Sequence, residues 1–252
     1  MKYAVVTGAS SGIGLEMTKY LDSLNYELIL VARDKEKLER IASRLRNKPK
    51  IIVMDLAKTE DIKSLYVLVK NYDIDVLINN AGFGLAGNFS ETDLSRELDM
   101  IDTNVKAVHV LTKLFLKDMK KRNKGYILNV ASSAAFSSGP LMATYYATKS
   151  YVYRLTEAIY YELKKEKVDG VHISCLCPGP VDTNFNKVAD VKFSVKPLKA
   201  SYVAKYAIDK MFKNKLLIIP GFKMKMAKFF QRFISDKAQM RIIYRIQKRK
   251  IQ

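Results

Sequence analysis

The opening residues, MKYAVVTGASSGIGLEMTKYLDSL, constrain this chain more than any other stretch. A short apolar run from Lys2 to Thr7 enters a glycine-punctuated turn, GASSGIG, and leaves it as an amphipathic helix reaching about Leu24. Strand, glycine turn, helix is the order a phosphate-binding loop requires. Gly8 permits the turn, Gly12 lets the backbone approach a pyrophosphate, and Gly14 allows close packing of helix on strand. The helix N-terminus offers free N–H groups to the anion, with Ile13 contributing backbone and Ser10 and Ser11 further donors. The spacing is G-x-x-x-G-x-G, not the commoner G-x-G-x-x-G.

The same alternation continues. Glu27 to Ala32 reads as a strand and is followed by a helix through Arg46; Lys50 to Met54 reads as a third strand, ending at Asp55-Leu56, with Thr59 capping the next helix. A fourth strand, Asp75 to Ile78, runs into Asn79-Asn80-Ala81-Gly82. A long helical region follows from about Asp93 to Lys121 and contains Asn104, which by itself reads as a buried polar residue that kinks a helix. A helix to about Lys167, a strand from Gly170 to Leu176, a helix from Ser201 to Phe212 and a strand from Leu216 to Ile219 complete the series. Alternation of this kind predicts an α/β fold, a doubly wound parallel sheet that binds ligands across the carboxyl ends of its strands. The composition does not shift before about residue 221, so residues 1–220 read as one Rossmann-fold domain and 221–252 as a basic helical extension.

In the middle of the chain, YILNVASSAAFSSGPLMATYYATKSY takes an apolar strand into a serine-rich loop and then a helix carrying Tyr145 and Lys149. Four residues apart on a helix, these two share a face. A phenol beside an ammonium is expected to have its pKa lowered and to serve as a proton donor. Ser132, at the strand's end, could hold an oxygen between itself and the phenol. Taken alone, the pair also fits a solvated helix face.

TGASSGIG together with YYATK and its upstream serine resembles the signatures of the short-chain dehydrogenase/reductase family, with the two about 135 residues apart. The likeness extends over roughly residues 1–220 and implies a seven-stranded sheet of order 3-2-1-4-5-6-7. It also implies roles. Ser132 would bond the substrate carbonyl oxygen and Tyr145 deliver the proton; Lys149 would bind the nicotinamide ribose, and Asn104 keep a water in the proton relay. The family spacing selects Ser132 and Tyr145 over Ser133 and Tyr146. Asp55, with Leu56, would meet the adenine, and Asn80-Ala81-Gly82 would line a ribose. Pro178, Gly179, Val181 and Thr183 would hold the nicotinamide carboxamide, and 184–199 would be the substrate loop.

The residue just past the second strand of a dinucleotide fold meets the adenosine ribose, and an arginine there accommodates a 2′-phosphate. Arg33 holds that place, which favours NADP(H) over NAD(H); the alternative makes Asp34 the ribose ligand. The resulting reading is an NADP(H)-dependent carbonyl reductase or alcohol dehydrogenase acting on a lipophilic substrate. Its rivals are a 3-oxoacyl-carrier-protein reductase, whose acidic carrier would suit a basic surface, and a non-catalytic NADP(H) sensor tethered by its tail. The family usually forms homodimers or homotetramers through helices near residues 106–122 and 146–166.

Charge bears on partners. The chain carries a formal +19, and from residue 221 onward ten basic residues face one acid. There, Phe222, Met226, Phe229, Phe230, Phe233 and Ile234 fall at helical spacing, with a break near Ser235 and a second set at Ile242, Ile243 and Ile246. Two basic amphipathic helices of this kind either lie in a membrane interface or bury the same face in protein. No nucleic-acid reader motif is present. No run of 18 apolar residues or leader-like start is present, and Cys175 and Cys177 read as reduced core thiols, so a cytoplasmic protein is expected. His109 and His172 stand apart from one another, and no metal site is expected.

Overall fold

The computed structural model describes residues 2–183 and 197–251, so the expected substrate loop lies mostly outside the described residues. The strands are β1 (Tyr3–Thr7), β2 (Glu27–Ala32), β3 (Lys50–Val53), β4 (Ile74–Asn79), β5 (Gly125–Val130), β6 (Val171–Leu176), β7 (Val181–Asp182), β8 (Leu198–Lys199) and β9 (Leu217–Ile218). Seven of them form one parallel sheet in the order β3-β2-β1-β4-β5-β6-β9, while β7 and β8 pair separately. This is the expected doubly wound topology; the last sheet strand is ninth in the chain only because the short pair intervenes.

The helices are α1 (Gly12–Ser23), α2 (Lys35–Ala42), α3 (Thr59–Val69), α4 (Leu94–Ile101), α5 (Val108–Arg122), α6 (Ala143–Lys165), α7 (Ala200–Met211), α8 (Phe222–Gln231) and α9 (Asp236–Ile251). The apolar runs of the central strands are continuous because both faces of the sheet are covered. Successive side chains point to opposite faces. Thus Ala4 and Val6 join one core with Met17 and Leu21 of α1 and Ile208 and Met211 of α7. Val5 joins the other, with Ile62 and Leu65 of α3 and Phe115 and Met119 of α5. Each such fully buried side chain contributes about 1.5–3 kcal/mol relative to exposure.

One polar cluster sits inside this apolar frame. Asn79 and Asn129 are register partners on β4 and β5. Asn79 Nδ2 donates to Asn129 Oδ1 (2.8 Å) and Thr112 Oγ1 (3.1 Å), and Asn129 Nδ2 donates to Thr156 Oγ1 (3.0 Å). The bonds tie the two strands to α5 and α6.

Several local expectations change. Thr59 is the first residue of α3 and Lys58 its cap, with no side-chain capping bond; Asp61 instead turns back to accept from the Asp55 N–H at 2.8 Å. Helix α2 stops at Ala42, short of Arg46, whose N–H is held by the Asp22 carboxylate at 3.1 and 3.2 Å. The long helical region is continuous but contains a π-helical segment, Asp102–Ala107, between α4 and α5. The tail does break near Ser235, between α8 and α9. No described helix is long and apolar enough to cross a membrane.

Candidate active site

The glycine turn has the backbone its residues allow. Gly8 and Gly12 lie at φ +65° and +56°, in the left-handed region that side chains disfavour. A Cβ on Gly14 would stand 2.3 Å from the Gly8 carbonyl oxygen, so only glycine lets the helix start this close to the strand. Ser11 caps α1 in an extended conformation without a side-chain capping bond, and the first turn holds no acid. The first N–H groups of a helix lack intrahelical partners, so this end is open to an anion.

The turn after β4 braces this loop. Asn80 Nδ2 donates to the Thr7 and Gly8 carbonyls (3.0 and 3.2 Å), and the N–H groups of Asn80 and Ala81 donate to Thr7 Oγ1. Thr183 arrives from beyond β7 and lies over Gly12, where an added Cβ would be 3.1 Å from its Cγ2. Val181 and Leu56 are buried. The Pro178 carbonyl accepts from the Ser133 N–H at 2.8 Å, which fastens the Pro178-Gly179 loop to the serine loop.

At the far end of the glycine turn, Arg33 is exposed and pairs with Asp55 at 3.8 Å. Asp34 is engaged elsewhere. Its carboxylate caps α2 by accepting from the Lys37 N–H at 3.0 Å and pairs with Lys37 Nζ at 2.7 Å, and those bonds hold its pKa below the ordinary value. Asp55 accepts from the Ala57 N–H at 3.2 Å.

Ser132, Tyr145 and Lys149 converge. Ser132 caps a short 3-10 turn and accepts from the Ala134 N–H at 3.2 Å; its hydroxyl is hydrogen-bonded to the Tyr145 phenol. Ser150 Oγ donates to the Ala135 carbonyl at 3.1 Å, so α6 carries this loop against its own first turns. Lys149 Nζ donates to the Val130 carbonyl at 3.0 Å and stands 5.9 Å from the Tyr145 ring centre. The neighbouring tyrosine is distinct: Tyr146 OH accepts from Gln247 Nε2 of α9 at 2.7 Å.

The electrostatics depart from expectation. The Tyr145 pKa is raised, not lowered: burial dominates and pushes it up, while the Ser132 hydrogen bond pulls the other way. Burial likewise brings Lys149 down to about 8. Below about 8 Lys149 is still an ammonium, so the raised phenol reflects its own burial and not the loss of the neighbouring charge.

Asn104 is fully buried in the π-helical segment. Its Oδ1 accepts from the Phe83 N–H (3.1 Å), and its Nδ2 donates to the Phe83 carbonyl (2.9 Å) and Thr148 Oγ1 (3.1 Å). A Cβ on Gly82 would stand 2.6 Å from Asn104 Oδ1 and 3.2 Å from Lys149 Nζ, so the glycine makes room for both. Thr148 and Gln247 escaped the sequence reading. Thr148 is inside YYATK, three residues after Tyr145; Gln247 is the polar residue one turn after Ile243 in the second apolar set.

Met100, Ala134 and Met142 are buried with Tyr145, and Phe83, Leu85, Ala86 and Tyr146 pack against them. The tail meets this region by its polar seam. Met224 lies where a Cβ on Gly179 would be 2.7 Å from its Cγ, Lys228 Nζ donates to Tyr153 OH (3.1 Å), and Gln231 Nε2 donates to the Phe136 carbonyl (2.7 Å). Cys175 and Cys177 are buried free thiols, 3.7 Å apart. Among the described residues no cluster of His, Cys, Asp or Glu could hold a metal ion.

The family and the fold recur in known proteins. Residues 2–192 match the family model described as short chain dehydrogenase. An uncharacterized oxidoreductase of Staphylococcus saprophyticus is 31% identical over 216 residues, covering 82% of this chain and 91% of that one. A very-long-chain 3-oxoacyl-CoA reductase of Phaeosphaeria nodorum is 35% identical over 196 residues, covering 74% of this chain and 57% of that one. Two solved structures share the fold at TM-score 0.83: a Sphingobium yanoikuyae short-chain dehydrogenase in complex with NADPH, 24% identical over 92% of this chain and 94% of its own, and a Burkholderia phymatum one in complex with NAD, 25% identical over 92% and 93%. The chain is therefore an oxidoreductase fold of the short-chain dehydrogenase family, to which it belongs.

Proposed function

We propose that this chain is an NADP(H)-dependent reductase or dehydrogenase acting on a carbonyl or secondary alcohol of a lipophilic substrate. The observation that carries the reading is the hydrogen bond between half-buried Ser132 and buried Tyr145, with Lys149 beside it. When bound, the nicotinamide gives or takes the hydride. Ser132 holds the substrate oxygen and Tyr145 passes it a proton. A phenol kept protonated by burial is suited to act as a general acid, a role worth ~100 to 10,000-fold in rate. Lys149 and Asn104, which both crowd Gly82, position the ribose and the relay behind the phenol.

The cofactor cradle is Gly8, Ser10, Ser11, Gly12, Ile13 and Gly14 for the pyrophosphate, Asp55 and Leu56 towards the adenine, Asn80 to Gly82 for a ribose, and Pro178, Gly179, Val181 and Thr183 for the carboxamide. The uncapped, acid-free start of α1 fits an anion. Preference for NADP(H) is supported by Arg33, exposed at the end of β2, while Asp34 is spent on capping α2. A lipophilic substrate is supported by the apolar group around Tyr145 and by the name of the 3-oxoacyl-CoA reductase relative. Pairing into a homodimer or homotetramer is supported by an apolar hollow of about 400 Å³ between Ile101, Ala147 and Tyr151 on the α4–α6 face.

The test is NADPH oxidation with a panel of ketones. Tyr145→Phe abolishes turnover while NADPH still binds, read by cofactor fluorescence. Full turnover in that variant overturns the catalytic assignment; no NADPH affinity in the parent overturns the cofactor reading.

A further inference from the structure

Helix α8 is turned the wrong way round for a helix that only needs to cover a protein. Met224, Lys228 and Gln231, at i, i+4 and i+7, face the body of the molecule and make its contacts with Gly179, Tyr153 and Phe136. On the opposite side Phe222, Phe229 and Phe230, at i, i+7 and i+8, stand 76%, 46% and 54% exposed, and Phe233, in the turn just past the helix, stands 71% exposed with its ring 5.7 Å from that of Phe229. The seam of Met224, Lys228 and Gln231 is inside and the aromatic stripe outside. Ile234 continues the stripe, and Ile242 and Ile246 of α9 are also exposed. An exposed contiguous apolar face of this kind marks a surface with a partner.

The charges identify the partner. At 100° per residue, Lys223 flanks the phenylalanine stripe on one side and Lys225 and Arg232 flank it on the other; Arg232 lies over the Phe229 ring at 4.7 Å, while Lys225 Nζ donates to Tyr206 OH of α7 at 3.0 Å. From residue 221 onward ten basic residues face Asp236 alone. A phenylalanine stripe between basic flanks is the pattern of a helix lying in the plane of a lipid interface, with rings below the headgroups and cations among them. A second copy of this chain is a poor occupant, since it would bring the same positive charge to face this one within a Debye length.

We infer that the outer face of α8, continued by α9, docks on an anionic lipid surface. The opposite, inner side of these helices is held to the body at Phe136, Tyr153, Gly179 and, through Gln247, Tyr146 beside Tyr145. Docking therefore brings the neighbourhood of the phenol to the interface. The inference deepens the lipophilic-substrate reading, but its test reads partitioning, not turnover.

The full-length chain is sedimented with vesicles of phosphatidylcholine, with and without phosphatidylglycerol, at low and high salt. The expected result is strong co-sedimentation with the anionic vesicles that weakens with salt, and ~10-fold or greater loss of it in the combined Phe229→Ser, Phe230→Ser, Phe233→Ser variant. These side chains are exposed, so that variant retains NADPH binding, which serves as the folding control. A chain that stays in the supernatant with anionic vesicles overturns the inference. So does a triple variant that sediments as well as the parent, because the charge alone then suffices. A parent dimer that the triple variant dissolves assigns the face to a second copy and also overturns it.

Discussion

Lys149 illustrates how little a residue's charge in isolation says about its state in a fold. Burial lowers it from 10.5 to about 8, because the folded site disfavours the ammonium. Below about 8 both folded and unfolded chains carry the charge, and the folded chain bears the whole desolvation cost; between 8 and 10.5 the folded chain sheds the proton first and is relieved. The stability of the parent relative to Lys149→Met is therefore expected to rise over that alkaline window, by roughly 3 kcal/mol in total, as read from urea midpoints at successive pH values. Arg33 makes the complementary case on the surface. Arg33→Ala is expected to weaken NADPH binding about 10-fold or more, the scale of charge-assisted bonds to a phosphate, while leaving NADH binding nearly unchanged, in parallel fluorescence titrations. The convergence of Ser132, Tyr145 and Lys149 was readable only with the resemblance, because the tyrosine-lysine spacing alone also fits a solvated helix face. The direction of the Tyr145 pKa was not, since it depends on how much protein surrounds the phenol.

At the scale of the element, the π-helical segment between α4 and α5 is tied to its neighbours by one side chain. Asn104 satisfies both backbone groups of Phe83 and also reaches Thr148, so it links the β4 turn, the interrupted helix and α6. Asn104→Ala leaves the Phe83 N–H and carbonyl without their partners and is expected to cost about 2–4 kcal/mol, read as a drop of several degrees in thermal midpoint. The sequence predicted a kink at this residue from its polarity inside an apolar helix, but nothing in it reported the extra residue in the turn, because that follows from a bond to a chain segment 21 positions away. The misplaced cap at Thr59 has the same origin. Lys58 takes the cap position while Asp61 is drawn back to Asp55, a competition that local propensity does not register.

Across the whole molecule, alternation of strand and helix was sufficient to predict the sheet, since each apolar run had to be covered on both faces. The tail was readable as two helices, but its orientation was not: apolar spacing shows which residues share a face and leaves open whether that face turns in or out. The seam that fixes the orientation includes Met224 against Gly179. Gly179→Val places carbon where Met224 now lies, with the nearest contact at 2.7 Å from a Cβ alone. The expected outcome is a lifted α8, seen as faster tryptic cleavage at the lysines and arginines beyond residue 221, with the sheet still protected.

The paired amides of Asn79 and Asn129 have a consequence for how the chain arrives at its sheet. Strands of nearly uniform Val, Ile and Leu carry little information about which rung should meet which, and sliding β4 one position along β5 would cost few apolar contacts. With an amide on each strand at one matched rung, that slide sends Asn79 to the opposite layer and strands both amides in hydrocarbon. The cluster thus acts as an alignment key, rejecting off-by-one pairings while the chain assembles, before any ligand is present to favour the right one.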